Sequence, residues 1–129
     1  MIDHVSIAVR DLRTAEPFYS ALLAPLGMAK IRDWPDAAVG FGKKYPEFWI
    51  NRRAAIERVG DDSGMHICLR APDTVAVDAF HAAALRAGGT SDGEPGLRPD
   101  YNGRYYAAFI RDPDGNRIEA VTFLRDGGE

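Results

Sequence analysis

The chain repeats itself, and the repeat restricts its fold more than any other feature. Residues 4–11 read His-Val-Ser-Ile-Ala-Val-Arg-Asp and residues 66–73 read His-Ile-Cys-Leu-Arg-Ala-Pro-Asp, so position 4 corresponds to position 66 at an offset of 62. The same offset lays Ala15–Leu23 over Val77–Leu85 and Gly27 over Gly89. One chain therefore holds two copies of one supersecondary unit, and any fold proposed for it must build from that unit. With 129 residues in all, the two units form one ordinary domain with a real core.

Each copy opens on a strand. Val5, Ile7 and Val9 share one face of the first strand, with His4, Ser6 and Ala8 on the other. In the second copy Ile67 and Leu69 oppose His66, Cys68 and Arg70. A helix of about 12 residues follows each strand, with Thr14 as the expected N-cap of the first and Thr74 or Asp73 of the second. Phe18, Leu22 and Leu26 give the first helix its apolar stripe, and Phe80 with Ala84 gives the second. After Gly27 the expected strands are Met28–Trp34, Ala37–Gly42 and Glu47–Asn51. After Gly89 they are a weak strand at Gly89–Ser91, then Tyr105–Ile110 and Arg117–Leu124. Each unit thus reads βαβββ, the fold class is α+β, and the units span about 1–52 and 64–125 of a single domain at 1–129. Arg52–Gly64 reads as the linker, and the Pro- and Gly-rich Gly93–Gly103 as a long loop of the kind that carries function.

The string Asp112-Pro113-Asp114-Gly115-Asn116-Arg117-Ile118-Glu119 is a tight turn feeding the last strand. Glu119 is then an acid inside an apolar strand, costly to bury without a partner. The histidines open equivalent strands on the face away from the helix. If the sheets curl around one cleft, His4, His66 and Glu119 converge there as two imidazoles and a carboxylate. Such a set suits a divalent ion such as Zn, Ni, Mn or Fe(II). Taken singly, a histidine near a strand start is more often structural, and a lone strand glutamate more often solvated. Their repeat-related placement is what favours the metal reading.

Other classes fall away. A net charge of −3 with no basic run argues against nucleic acid as a partner. No stretch reaches the apolar length of a membrane span, and Met1-Ile2-Asp3-His4 lacks a signal-peptide layout. The single Cys68 permits no intrachain disulfide, and a cytoplasmic location is expected. Cys68 reads as a small core residue rather than a nucleophile, although it shares a face with His66. His81 reads as structural. Arg98, Tyr101, Tyr105 and Tyr106 cluster at the long loop and are candidates for binding a polar or acidic small-molecule substrate.

The strings His4-Val-Ser-Ile-Ala-Val-Arg-Asp-Leu with Phe18-Tyr19, His66-Ile-Cys-Leu, and Asp112-Pro-Asp-Gly-Asn-Arg-Ile-Glu119 resemble the vicinal oxygen chelate superfamily. It includes glyoxalase I, fosfomycin-inactivating thiol transferases, extradiol dioxygenases and bleomycin-resistance proteins. The resemblance covers nearly the whole chain and implies a half-open barrel with a cleft, and metal ligands at His4, His66 and Glu119. It also implies that the cleft can be built across a homodimer, His4 of one chain meeting His66 and Glu119 of the other. The glyoxalase I pattern takes a fourth ligand from the last strand of the first unit. Here that strand reads Glu47-Phe48-Trp49-Ile50-Asn51, and Trp49 occupies the ligand position as a pocket wall, with Glu47 two residues away on the same face. A homodimer is expected, since half-open units expose apolar edges that two-fold pairing covers.

Two functions fit these residues. One is a metal-dependent enzyme on a small oxygenated substrate, by lyase, dioxygenase or thiol transferase chemistry. The other is a metal-free, drug-sequestering binding protein of the bleomycin-resistance type, using Trp34, Trp49, Tyr101, Tyr105 and Tyr106 as an aromatic lining.

Overall fold

A computed structural model describes residues 1–125. The first unit runs β1 (Val5–Val9), α1 (Leu12–Leu23), a 3₁₀ turn (Ala24–Leu26), β2 (Ala29–Trp34), β3 (Ala38–Gly42) and β4 (Phe48–Arg52). The second runs β5 (Ile67–Arg70), α2 (Thr74–Arg86), β6 (Thr90–Leu97), β7 (Tyr105–Arg111) and β8 (Arg117–Phe123). Each unit forms its own four-stranded mixed sheet, in the orders β1-β4-β3-β2 and β5-β8-β7-β6. The first and last strands of each unit pair in parallel, and the other neighbours are antiparallel. The fold is α+β, two βαβββ units whose sheets do not close on each other, as in a half-open barrel.

The repeat extends to register. Val5 lies opposite Phe48 and Ser6 opposite Trp49, as Ile67 lies opposite Ile118 and Cys68 opposite Glu119. Trp49 is therefore the positional counterpart of Glu119. Both helices begin at an aspartate. Asp73 caps α2 by accepting from the Ala76 amide. In α1 the cap is Asp11, accepting from the Arg13 amide, and not Thr14. Thr14 lies inside the first turn, where its hydroxyl donates to the Asp11 carbonyl. The Asp11 carboxylate reaches the free amide two residues on, so the helix starts earlier than the threonine suggested.

The apolar stripes bury as the spacing requires. Phe18, Leu22 and Leu26 from the first unit and Phe80 and Ala84 from the second join Val9, Phe48, Ile110 and Ile118 in one shared core. Each large side chain buried there contributes about 1.5–3 kcal/mol. The turn at Asp112 fastens the units together. Asp112 is buried, and its carboxylate accepts from the Tyr19 hydroxyl at 2.5 Å, the amides of Asp114 and Asn116, and Asn116 Nδ2. Asn116 Nδ2 also donates to the Ala8 carbonyl, and the Arg10 amide donates to Asp114. The turn thus ties the second unit to β1 and α1 of the first. Burial raises the Asp112 carboxyl above its ordinary range, and burial together with the adjacent Asp112 raises Tyr19 well above that of a free phenol.

One element differs from the sequence reading. The weak strand at Gly89–Ser91 is the start of an eight-residue strand, β6, which takes up the first half of the anticipated Gly93–Gly103 loop. Its pairing with β7 shifts register between Ser91 and Gly93 and again between Gly93 and Gly96. As an edge strand it tolerates Pro95 and these irregularities, which disguise it in the sequence.

Candidate functional site

The site grows from the parallel pairing of β5 and β8. That register sets Glu119 beside Cys68, on the face turned away from α2, with His66 just ahead of β5. Glu119 is only 2% exposed, and both of its oxygens are engaged. Oε1 lies 3.0 Å from His66 Nε2, and Oε2 accepts from the Tyr105 hydroxyl at 2.5 Å. Partial burial, and then the bond to Glu119, hold the Tyr105 phenol far above its ordinary range, so it remains a donor. Cys68 Sγ lies 3.8 Å from the same hydroxyl. Desolvation, followed by the nearby Glu119 charge, pushes the thiol up to about 12. Cys68 is exposed on the cleft face and is not a core residue, because strand alternation puts it on the side of His66.

Aromatic and cationic groups wall this centre. In the antiparallel β7–β8 ladder Phe109 lies opposite Glu119 and Tyr105 opposite Phe123. Tyr101 meets the Tyr105 ring edge-on at 4.7 Å between centroids. The Arg98 guanidinium stands over Phe109 at 5.4 Å, and Arg70 over Phe123 at 4.7 Å. Phe109 went unmarked in the sequence reading, although two-residue periodicity from Tyr105 places it on the cleft face; Arg70 and Phe123 lie on the faces that strand alternation gave them, beside His66 and Glu119. The same periodicity separates Tyr106 from Tyr105. The Tyr106 hydroxyl donates to Asp78 of α2, on the helix side of the sheet.

The first unit contributes differently. Trp49 packs on Trp34 at 5.1 Å between ring centroids. Glu47 lies ahead of β4, and its carboxylate accepts from the Lys43 amide. His4 is exposed, with Nδ1 2.8 Å from Asp3 Oδ1. Between the units a cavity of about 110 Å³ is lined by Ser6 and Ile7 on one side and by Met65, His66 and Ile67 on the other. Among the described residues no three His, Cys, Asp or Glu side chains gather where they could hold one metal ion. One chain thus brings His66 and Glu119 together and leaves His4 apart. His81 is structural as expected, buried with Nε2 2.8 Å from Ser91 Oγ.

The pair that does form fits a divalent ion chemically. An imidazole nitrogen and a carboxylate oxygen are the donor types such an ion takes, and Tyr105 orients the carboxylate as an outer partner does in metal sites.

Paired βαβββ units with an imidazole–carboxylate centre on the cleft face define a class of small-molecule-binding folds. Residues 1–120 match the model of the glyoxalase/bleomycin resistance protein/dioxygenase superfamily, and the chain belongs to that superfamily. Among solved structures it is similar to a glyoxalase/bleomycin resistance protein from Albidiferax ferrireducens T118, at 33% identity and a TM-score of 0.79, over 92% of this chain and 96% of that one. It shares its fold with a family enzyme from Burkholderia phytofirmans PsJN, at 21% identity and a TM-score of 0.71, over 95% and 98% of the two chains. The fold also matches a lactoylglutathione lyase from Agrobacterium tumefaciens, at 22% identity and a TM-score of 0.64, over 94% and 92%. No curated protein matches the chain. No helix of the described residues is long and apolar enough to cross a membrane.

Proposed function

We propose that this protein is a metal-dependent enzyme of the glyoxalase/dioxygenase type, acting on a small oxygenated substrate by lyase, dioxygenase or thiol transferase chemistry. The supporting observation is the buried Glu119 carboxylate, held on the cleft face between His66 Nε2 and the Tyr105 hydroxyl. His66 and Glu119 are two of the ligands, and His4 of a second copy completes the set in a homodimer. A bound divalent ion (Zn, Ni, Mn or Fe(II)) would supply Lewis-acid polarisation of two neighbouring substrate oxygens.

The chain's own groups do the rest. Tyr105 fixes the carboxylate rotamer. Arg70 and Arg98 draw a polar or acidic substrate to the mouth, and Tyr101, Phe109 and Phe123 keep water from its apolar part. Trp49, paired with Trp34, forms a wall where relatives of the glyoxalase I pattern place a fourth ligand. The single free cysteine suits a reducing, cytoplasmic setting.

The rival is a metal-free binding protein lined by aromatics. It is favoured by one observation, that among the described residues no third His, Cys, Asp or Glu joins His66 and Glu119. Elemental analysis of protein purified without chelator or added metal separates the two. A stoichiometric divalent metal supports the enzyme; protein free of metal, and unable to take any up, supports the binding protein.

A further inference from the structure

A second site lies on the first unit and shares no lining residue with the His66–Glu119 centre. At the carboxyl ends of β1 and β4, beside the first turn of α1, a cavity of about 620 Å³ is lined by Arg10, Asp11, Leu12, Arg13, Asp36 and Arg52. This volume suits a small organic ligand. Three arginines line it from three elements. Arg10 follows β1, Arg13 lies in the first turn of α1, and Arg52 ends β4, paired with Val9. Among the described residues none of the three guanidiniums forms an ion pair or a side-chain hydrogen bond; only the backbones of these residues are engaged. Of the two carboxylates in the lining, Asp11 is committed to the helix cap.

The repeat supplies an internal comparison. The counterparts of Arg10, Arg13 and Arg52 in the second unit are Pro72, Val75 and Thr122, while the cap Asp11 keeps its counterpart in Asp73. The unit therefore folds with the cap and without the arginines, so folding does not account for them. Asp11 and Asp36 offset two of the three cations, so the lining keeps a net positive charge, which an anion would compensate.

We infer that this pocket binds the phosphate groups of a small phosphorylated ligand. The guanidinium fork matches the oxygens of a phosphate in pairs. A monocarboxylate occupies one fork only, whereas a diphosphate spans two or three. The site stands independently of the metal reading.

The test is calorimetric titration with inorganic pyrophosphate, at low salt in buffer free of divalent ions. Wild type should bind, and acetate should bind at least about tenfold more weakly. Arg13→Gln and Arg52→Gln should each weaken pyrophosphate binding by about tenfold or more, the scale of one charge-assisted hydrogen bond. Arg52→Lys, which keeps the charge and loses the fork, should fall between wild type and Arg52→Gln. All three positions are exposed, so the melting temperatures should not change. Absence of binding to wild type at millimolar pyrophosphate would overturn the site. So would an affinity that both glutamine variants leave unchanged.

Discussion

Glu119 shows how one residue can carry a site. A carboxylate that is 2% exposed persists in an apolar strand because two partners engage its two oxygens. Removing one partner should be felt at the metal before it is felt in the fold. Tyr105→Phe keeps the ring contacts with Tyr101 and Phe123 and deletes the hydroxyl that donates to Oε2 and meets Cys68 Sγ. It should weaken metal binding by roughly 10- to 100-fold, as outer-partner losses do. A competition titration against a chromogenic chelator measures this, and unchanged affinity would remove Tyr105 from the site. Asp112 is the structural counterpart of Glu119. Asp112→Ala leaves the buried Tyr19 hydroxyl and two turn amides without their acceptor. It should destabilise the protein by about 3 kcal/mol or more, read from urea unfolding. A loss under 1 kcal/mol, roughly one ordinary hydrogen bond, would mean the turn is not what fastens the units.

At the level of elements, the Asp112–Glu119 segment does two jobs within one string: it latches the units and it delivers the carboxylate. Gly115 sits at φ +87°, and a Cβ there would come 2.7 Å from the Val59 carbonyl. Gly115→Val should therefore lower the melting temperature, by a cost of roughly 1–3 kcal/mol for the backbone alone. The linker is pinned from the other side, since Asp61 accepts from the buried Arg111 at 2.5 Å. The Arg111 guanidinium lowers the Asp61 carboxyl below its ordinary range. A depressed folded value gives an interaction present above the unfolded carboxylate pKa and lost as pH falls through the folded one. The protection factors of the hydrogen-bonded linker amides, such as Val59 and Ser63, should fall below about pH 4. A linker equally protected at pH 6 and pH 3 would contradict that role for Asp61. The repeat made these elements legible in advance: strand alternation located Val5, Ile7 and Val9, and the 62-residue offset located α2 from α1. It also aligned Trp49 with Glu119, which the strand register bears out. β6 escaped because its bulges and Pro95 erase the alternation that marks a strand. Alternation put Arg70 on the His66 face, but its stacking on Phe123 and the place of Phe109 opposite Glu119 come from cross-strand pairing, which no local pattern encodes.

At the scale of the whole molecule, the proposed metal site needs a third ligand. His66 and Glu119 meet within one chain, and His4 does not reach them. A two-fold pair that brings His4 to the other copy's centre accounts for both facts, so light scattering should give twice the chain mass at micromolar concentration. Mixing His4→Ala and Glu119→Ala chains should restore one intact centre per mixed dimer. Metal binding should then reappear in the mixture, whereas a site built within one chain would show no such rescue. The most direct test of the account is calorimetric titration of Zn, Ni, Mn and Fe(II) into wild type and Glu119→Ala. Ligating imidazoles are neutral, so wild-type affinity should weaken on acidification. Glu119→Ala removes the anionic ligand and should weaken binding by more than roughly a hundredfold, beyond what an outer partner contributes. Equal affinity in the two proteins would contradict the account.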